Sequence, residues 1–177
     1  MAKANQDLYV EHVAGMLELE QLDRHLFRAR NGTTALDRQS LYGGQVAAQA
    51  LMAAARTVDS DRLPHSLHGY FLRPGRIDLP VILHVDPDRD GRSFSARHVS
   101  AVQDGKVIFS MLASFHRAEP RHVLDEMPNP AVPPPDECVP WNFDPALDVR
   151  EVTLTERVGD RQLFTDRLWI RTAARLP

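Results

Sequence analysis

The sequence predicts an α+β fold in which an antiparallel β-sheet wraps around one long central helix. Residues 43–55 are helix formers, open with two glycines and contain no charged side chain before Arg56. Such a helix is expected to be buried on nearly every side. Residues 65–116 instead form short, turn-bounded runs typical of strands, and Asp104-Gly105 is a strong signal for a two-residue hairpin turn. A sheet wrapped around a helix of small residues is the hotdog fold.

The remaining elements follow from hydrophobic spacing and turn residues. A short helix is predicted over residues 7–22, where apolar residues recur at intervals of about three to four. The central helix is expected to run over residues 43–58. The strand over residues 81–85 is expected to end at Pro87. The predicted strands cover residues 26–29, 65–73, 81–85, 93–103 and 106–116.

The hairpin is predicted to have one apolar face and one polar face. Regular pairing around its turn places Val102 opposite Val107, Ser100 opposite Phe109 and Phe94 opposite Phe115. The residues expected on the core face are Phe94, Val102, Val107, Phe109, Met111 and Phe115. Those expected on the polar face are Ser95, Arg97, Gln103, Lys106, Ser110, Ser114 and His116.

The character of the chain changes after residue 118. Eight of the thirteen prolines lie in residues 119–145, which predicts an extended connector that builds no ladder. Two more strand-like runs follow, and these either join the first sheet or open a second unit. The predicted boundaries are therefore a first domain over residues 7–118, a proline-rich linker over 119–145 and a further strand region over 146–177.

Composition and charge argue against several classes of function. The net charge is −3 with both signs interspersed, so neither a nucleic-acid partner nor a membrane is predicted. No apolar run reaches the roughly 18 residues of a membrane-spanning helix. The single cysteine, Cys138, rules out an internal disulfide and fits a reducing compartment, so a cytoplasmic location is expected.

Three segments occur in a distinctive order along the chain. They read LYGGQVAAQAL at residues 41–51, HSLHGYFLRPG at 65–75 and RDGRSFSARHV at 89–99. Together they resemble the N-terminal half of the acyl-CoA thioesterase II family, and LWIRT at 168–172 is similar to the region between that family's two repeats. The resemblance covers nearly the whole chain. It implies a double hotdog in which residues 146–177 are the opening strands of a second repeat, otherwise absent here.

The resemblance also implies an activity, namely hydrolysis of fatty acyl-CoA to free fatty acid and CoA. Acyl-CoA is then the partner molecule, and the family uses no metal or other cofactor. Its catalytic aspartate, threonine or serine, and glutamine lie in the second repeat. No position here matches those motifs, so no catalytic residue is transferred to this chain. Open strand edges favour a homo-oligomer joined through the hotdog sheets.

The start of the central helix is the first candidate for substrate binding. Backbone N–H groups at Gly43 and Gly44, next to Tyr42, lie at the positive end of the helix dipole and suit a thioester oxyanion. The same glycines also suit a close approach of helix and sheet. Gln45 and Gln49 share one helix face, where each either bonds to the sheet or orients water or the acyl carbonyl.

A histidine and several arginines complete the substrate-binding candidates. His68 lies on a predicted strand as a structural histidine, a residue lining the cleft or a general base. Arg73, Arg92 and Arg97 are candidates for the phosphates of CoA, because a guanidinium group matches phosphate oxygens. The alternative is that these arginines are solvated and pair with nearby aspartates.

Two functions remain open from the sequence. The first is an acyl-CoA thioesterase for which this chain supplies the N-terminal hotdog half. The second is a catalytically silent acyl-CoA-binding or assembly module. A hotdog dehydratase is disfavoured, because the helix starts with Gln45 where that chemistry needs an acidic partner for a histidine.

Overall fold

The chain divides into two compact units. One covers Gly15–Arg121, and the other includes the described residues from 131 onward. The computed structural model describes residues 14–31, 40–118, 131–141, 147–158 and 161–172. Parts of the predicted helix over 7–22 and of the predicted linker over 119–145 lie outside these residues.

The first unit is an antiparallel sheet of six strands packed against one long helix, within the described residues. Its elements are β1 (Leu19–Asp23), β2 (Leu26–Ala29), α1 (Gly43–Ala55), β3 (Arg62–Phe71), β4 (Val81–Asp90), β5 (Phe94–Gln103) and β6 (Lys106–Arg117). The sheet order is β1-β2-β4-β5-β6-β3, so β1 and β3 form its edges. All five neighbouring pairs are antiparallel. This is the hotdog fold that the sequence predicts.

Helix α1 is covered over most of its surface, as its uncharged sequence predicts. It packs against all six strands, and Val46, Ala50, Ala53 and Ala54 lie in the core. The helix ends at Ala55, three residues before the predicted end. The Oγ1 of Thr57 donates to the carbonyl of Ala54, so a side chain takes the acceptor that another helical turn would have used.

The β5–β6 hairpin has the predicted turn but a different register. Asp104 and Gly105 have φ values of 48° and 68°, as a type I′ turn requires, and Val102 lies opposite Val107. A register shift between Ala101 and Val102 then moves every later pair by one residue, so Ser100 faces Ser110 and Phe94 faces His116.

This shift reverses the predicted faces of β5. Ser95, Arg97 and Gln103 were expected on the polar face but are buried, whereas Phe94 was expected in the core and is 55% exposed. Phe94, Ser95 and Arg97 were misplaced because an extra residue on β6 shifts the register, so the odd-numbered residues of β5, and not the even-numbered ones, share a face with Phe109 and Phe115. Gln103 lies between the turn and this shift, and it is buried because β5 alternates without a break and puts it on the same face as Arg97. On β6 the burial of Phe109, Met111 and Phe115 is confirmed.

Two other local predictions were wrong. Residues 19–23 are strand rather than helix, because Leu19 pairs with Ala29 and its side chain enters the core. Pro87 does not end β4, which runs on to Asp90. The register shifts between Pro87 and Arg89, a place where a strand tolerates a residue without an N–H donor.

The second unit is a separate three-stranded antiparallel sheet. It contains β7 (Val139–Pro140), β8 (Leu147–Val158) and β9 (Arg161–Thr172), in that order, after a short 3₁₀ turn at Pro135–Glu137. The two strand-like runs thus pair with each other and not with the first sheet. The expectation that the proline-rich segment builds no ladder is wrong at Val139 and Pro140. They pair with β8 on an edge strand, where proline is tolerated.

Candidate functional site

A groove of about 390 Å³ opens at the start of α1. The helix, the end of β3, the loop that follows it and β6 all contribute walls. Its lining residues are Leu41, Gly43, Val46, Phe71, Leu72, Arg73, Pro74, Gly75, Ile108 and Phe109. The groove is apolar except for Arg73, a composition that suits an acyl or other hydrocarbon chain with one charged group at its rim.

Two glycines allow aromatic rings to form part of the groove. A Cβ atom at Gly43 would lie 3.0 Å from the ring of Phe71, and one at Gly69 would lie 2.5 Å from the ring of Phe109. The two rings are therefore free to pack together, with centroids 4.6 Å apart. A larger residue at either glycine would displace one of the rings.

The helix start presents backbone donors toward this end of the unit. Tyr42 is the N-cap residue and makes no side-chain capping bond, and the first turn contains no acidic residue. The N–H groups of Gln45 and Val46 already donate to the carbonyl of Tyr42. The N–H groups at Gly43 and Gly44 precede the first intrahelical bond, so they and the positive end of the dipole suit an oxyanion or a polarised carbonyl.

The loop after β3 is held in place by Gln103, a residue that the sequence analysis put on the wrong face. Its side chain is 5% exposed. Its Nε2 donates to the carbonyls of Arg76 and Leu79 at 2.9 and 2.7 Å, and its Oε1 accepts from the Arg76 N–H at 2.8 Å. The N–H of Leu41 also donates to the Gly75 carbonyl. These bonds fix the wall formed by residues 72–75.

Arg73 lies at the rim of the groove, where a residue that binds a CoA phosphate is expected. One guanidinium nitrogen, Nη1, donates to the Val107 carbonyl at 2.7 Å, and the side chain is exposed. That bond orients the group while leaving it accessible to an anion. Tyr42 is half exposed, and its ring occupies the space that a Cβ at Gly44 would need.

The two glutamines of α1 are buried but do not line the groove. Gln49 is fully buried, and its Nε2 donates to the Met16 carbonyl at 2.8 Å. Gln45 is also buried. Its Nε2 and the Oε1 of Gln49 have no hydrogen-bond partner in the described part of the chain. For Gln49 the structural role is thus observed.

Arg97 was expected on the polar face, available to phosphate, and this prediction was wrong. Its side chain is 2% exposed, and all three guanidinium nitrogens donate hydrogen bonds. They go to Oγ1 and O of Thr57, the carbonyls of Arg89 and Ala96, and Oδ1 of Asp90. Arg97 therefore fixes the segment after α1 to the β4–β5 hairpin and has no donor left for a ligand.

Asp90 is the carboxylate of this network. Its Oδ1 accepts from the Ser95 hydroxyl at 2.7 Å and from Arg97 at 2.8 Å. The Ser95 hydroxyl, and after it the Arg97 guanidinium, hold the pKa of Asp90 below its ordinary value. Arg62 joins the network by donating to Ser95 Oγ and to the carbonyl of Gly91.

Arg92 and His68 lie away from the groove. Arg92 is exposed in the β4–β5 turn, which the Arg97 network places at the C-terminal end of α1, about 20 Å along the helix from the groove. His68 is exposed on the sheet face opposite the helix, with its ring centroid 4.8 Å from that of Tyr70. The three predicted phosphate-binding arginines are thus not brought together.

Among the described residues, no three His, Cys, Asp or Glu side chains are placed to hold one metal ion. No helix there has the length and apolar character needed to span a bilayer. Cys138 is buried, and its thiol lies 3.3 Å from the Pro134 carbonyl.

The groove lies in a segment shared with known proteins. Residues 34–116 match the family model described as the acyl-CoA thioesterase N-terminal domain. Over 133 residues the chain is 47% identical to human acyl-coenzyme A thioesterase 8, covering 75% of this chain and 41% of the human protein. It is 41% identical over 104 residues to acyl-CoA thioesterase 2 of Haemophilus influenzae, covering 59% of this chain and 36% of that protein.

Solved structures agree with this match. An acyl-CoA thioesterase II from Mycobacterium marinum is 40% identical, with a TM-score of 0.78, over 93% of this chain and 62% of that one. A tesB protein of Mycobacterium avium subsp. paratuberculosis is 33% identical, with a TM-score of 0.77, and the match covers 95% of this chain and 63% of that protein. The chain is similar to the N-terminal part of acyl-CoA thioesterase II proteins. It spans about two fifths of the length of the curated relatives, 41% for the human protein.

Every described residue that lines the groove falls inside the matched segment 34–116. The second unit lies outside that segment, although the Mycobacterium marinum structure covers 93% of the chain. The family resemblance drawn from residues 41–51, 65–75 and 89–99 is thereby confirmed.

Proposed function

We propose that this chain supplies the N-terminal hotdog half of an acyl-CoA thioesterase and binds acyl-CoA in the groove at the start of α1. The single observation that carries the proposal is that groove, in which apolar walls meet the start of α1 and one rim arginine. The acyl chain lies between Phe71 and Ile108, the thioester carbonyl faces the N–H groups of Gly43 and Gly44, and Arg73 contacts a CoA phosphate. No cofactor is required for this role.

The groove binds and orients the substrate, but its described residues include no general base. Among them Arg73 alone has an ionisable side chain, and a guanidinium group stays protonated. Hydrolysis therefore depends on groups from a second hotdog. We propose that residues 7–118 form the first hotdog domain, 119–145 the linker and 146–177 the opening strands of the second repeat.

The second hotdog attaches at the free edge of β3 in this proposal. β3 ends the sheet, and residues 63–72 contain no Lys, Arg, Asp or Glu, the side chains that usually protect an edge. Leu67 and Phe71 pair with Ala113 and Phe109, so they lie on the helix side, yet they are 52% and 61% exposed. In the chain alone, a second copy occupies this edge. The expected location, the cytoplasm, rests on cysteine usage alone.

A catalytically silent acyl-CoA-binding module is the second candidate, and the lack of a general base among the described residues of the groove favours it for the chain alone. The two candidates separate in one experiment. The purified chain is incubated with palmitoyl-CoA and a thiol reagent that reports free CoA, and binding is measured in parallel by calorimetry. Binding with turnover supports the hydrolase, and binding without turnover supports the module. Absence of binding contradicts both.

A matched pair of variants tests where the substrate lies. Arg73→Glu and Arg92→Glu change charge equally at two exposed arginines, but only Arg73 lies at the groove. We expect Arg73→Glu to weaken palmitoyl-CoA binding by about tenfold or more and Arg92→Glu to leave it unchanged. Equal losses in the two variants would show that the groove is not the binding site.

A further inference from the structure

The groove at the start of α1 has a buried floor and an exposed rim. Val46, Ile108 and Phe109 form the floor and are 3%, 4% and 2% exposed. Phe71 and Leu72, at the rim, are each more than half exposed. An elongated ligand therefore places its apolar end on the floor and its head group at the rim, because a polar group on the floor would lose its water without gaining partners.

A β-bulge supplies two adjacent side chains to this floor. Ala101 pairs with Phe109 and Val102 with Val107, so Ile108 is an extra residue of β6. Ile108 and Phe109 are consecutive, yet both are buried and both line the groove. In a regular strand two such side chains would point to opposite faces. The groove therefore owes its apolar floor to the bulge.

The same bulge holds Arg73 at the rim. The Ile108 carbonyl accepts from the N–H groups of both Leu72 and Arg73, at 2.8 and 3.2 Å. The Arg73 Nη1 donates to the neighbouring carbonyl, that of Val107, at 2.7 Å. Two successive residues of β6 thus fix both the backbone and the side chain of Arg73. A cation that is already ordered loses little conformational entropy when it binds an anion.

Arg73 keeps donors for such an anion. A guanidinium group has five N–H donors, and the bond to Val107 uses one of them. Asp78, the acidic residue nearest to Arg73 in the sequence, is bonded to Arg76 instead. No carboxylate in the described part of the chain forms an ion pair with Arg73. Within those residues, the positive charge at the rim of the groove has no matching negative charge.

We propose that the groove also binds a free fatty acid, tail first, with the carboxylate on Arg73. A carboxylate matches a guanidinium plane with two parallel hydrogen bonds, and its single charge neutralises the single charge of the rim. The hydrocarbon chain packs on Phe71, Ile108 and Phe109. A cationic head group would be repelled, and a dianionic one would keep an uncompensated charge. This occupant needs no CoA.

The volume of the groove sets the length of the chain that fills it. At about 30 Å³ for each carbon-sized group, the volume that one molecule takes in liquid water, a groove of about 390 Å³ holds about 13 non-hydrogen atoms. A saturated acid of about 12 carbons fills that space, whereas one of about 16 carbons leaves about four of them in solvent. The ligand class is therefore the medium-chain fatty acids.

The fatty acid is also the product of the hydrolysis proposed above. The thioester carbonyl is neutral, and hydrolysis replaces it with a carboxylate on the same chain. Once CoA has left, Arg73 is available to that carboxylate, so the acid stays in the groove and competes with the next acyl-CoA. Binding of the acid stands without the proposed function, whereas the competition rests on it.

The head group is tested by calorimetry of the full chain with laurate and with 1-dodecanol, which has the same chain and no charge. Laurate is expected to bind about tenfold more tightly, as a hydrogen bond to a charged group contributes. Arg73→Gln should remove that preference while dodecanol still binds, and Arg92→Gln, at an exposed arginine away from the groove, should keep it. Equal affinities in the unchanged chain, or a preference that survives in Arg73→Gln, overturns the proposal.

The orientation of the ligand is tested by its chain length, with each acid below the concentration at which it forms micelles. Affinity is expected to rise about 100-fold from octanoate to laurate and less than about threefold from laurate to palmitate. Gly75→Ala places a methyl group on the floor, where its Cβ would lie 2.9 and 3.1 Å from the Cδ1 atoms of Leu41 and Ile108. This variant should bind laurate about fivefold more weakly and octanoate unchanged. A rise that continues to palmitate, or equal losses for both acids in Gly75→Ala, overturns tail-first binding.

A non-hydrolysable lauroyl-CoA thioether separates the fatty-acid site from the proposed thioesterase role. Binding of laurate but not of the thioether contradicts the proposed function and leaves the fatty-acid site in place. Binding of the thioether but not of laurate overturns the fatty-acid site alone. Where both bind, laurate is expected to displace the thioether, and simultaneous binding of the two would overturn a shared groove.

Discussion

Replacing Arg97 by methionine tests whether this residue is structural or binds a ligand. The substitution keeps an unbranched chain in a site that is 2% exposed, but removes every donor to Thr57, Ala96, Arg89 and Asp90. Removing one member of a buried ion pair costs about 3–5 kcal/mol. Because the Asp90 side chain is itself 58% exposed and keeps its hydration, we expect a loss near the lower end, about 3 kcal/mol.

The assay has to follow the first unit. Both tryptophans, Trp141 and Trp169, belong to the other unit, so their fluorescence does not report the network. The stability of the first unit is instead measured by urea unfolding, followed by far-UV circular dichroism and by hydrogen exchange of the α1 amides. Arg92→Met is the matched control and should stay within about 0.5 kcal/mol of the unchanged protein. A loss below about 1 kcal/mol for Arg97→Met, or equal losses in both variants, would refute the structural role.

Three further predictions follow from the same geometry. Gln103→Leu leaves the Arg76 N–H without its acceptor, so the free energy of unfolding should fall by about 1–3 kcal/mol and hydrogen exchange in residues 72–80 should speed up. Unchanged protection would contradict the role of Gln103 in fixing this loop. The pKa of Asp90 is lowered in the folded state. The ionised carboxylate therefore stabilises the fold above its unfolded pKa, and this stabilisation is lost as the pH falls through its folded pKa. The free energy of unfolding of Asp90→Asn should depend less on pH below about pH 4 than that of the unchanged protein. Gly43→Leu should abolish acyl-CoA binding by filling the groove beside Phe71, and wild-type affinity in a folded variant would rule that out.

The central helix and the hairpin turn could be predicted because their signals are local. An uncharged run from Gly43 to Ala55 dictates burial, and Asp104-Gly105 has the backbone preference of one turn type. Leu19–Asp23 was predicted as helix because its spacing of leucines is ambiguous over so few residues, and its pairing with β2 decides the matter.

The candidate site was predicted in part. Gly43 and Arg73 were singled out, and both line the groove. Gln103 and Arg97 were misplaced because an extra residue on β6, Ile108, changes which side chains of β6 share a face with those of β5, and no local pattern in the sequence indicates that bulge. The partners of Arg97 and Gln103 also lie far away in the chain, 40 residues for Thr57 and 27 for Arg76. The signals present in the sequence are a glutamine beside a hairpin turn and an arginine whose neighbours on the same strand face, Ser95 and Val99, are small and β-branched.

The most direct test of the account is a backbone NMR titration of the chain with a non-hydrolysable acyl-CoA thioether. If the groove at the start of α1 holds the acyl chain and its carbonyl, the amides of Gly43, Gly44 and Gly75 shift most, while those of the β4–β5 turn around Arg92 stay in place. Shifts centred on that turn, at the opposite end of the helix, would contradict the proposed binding site.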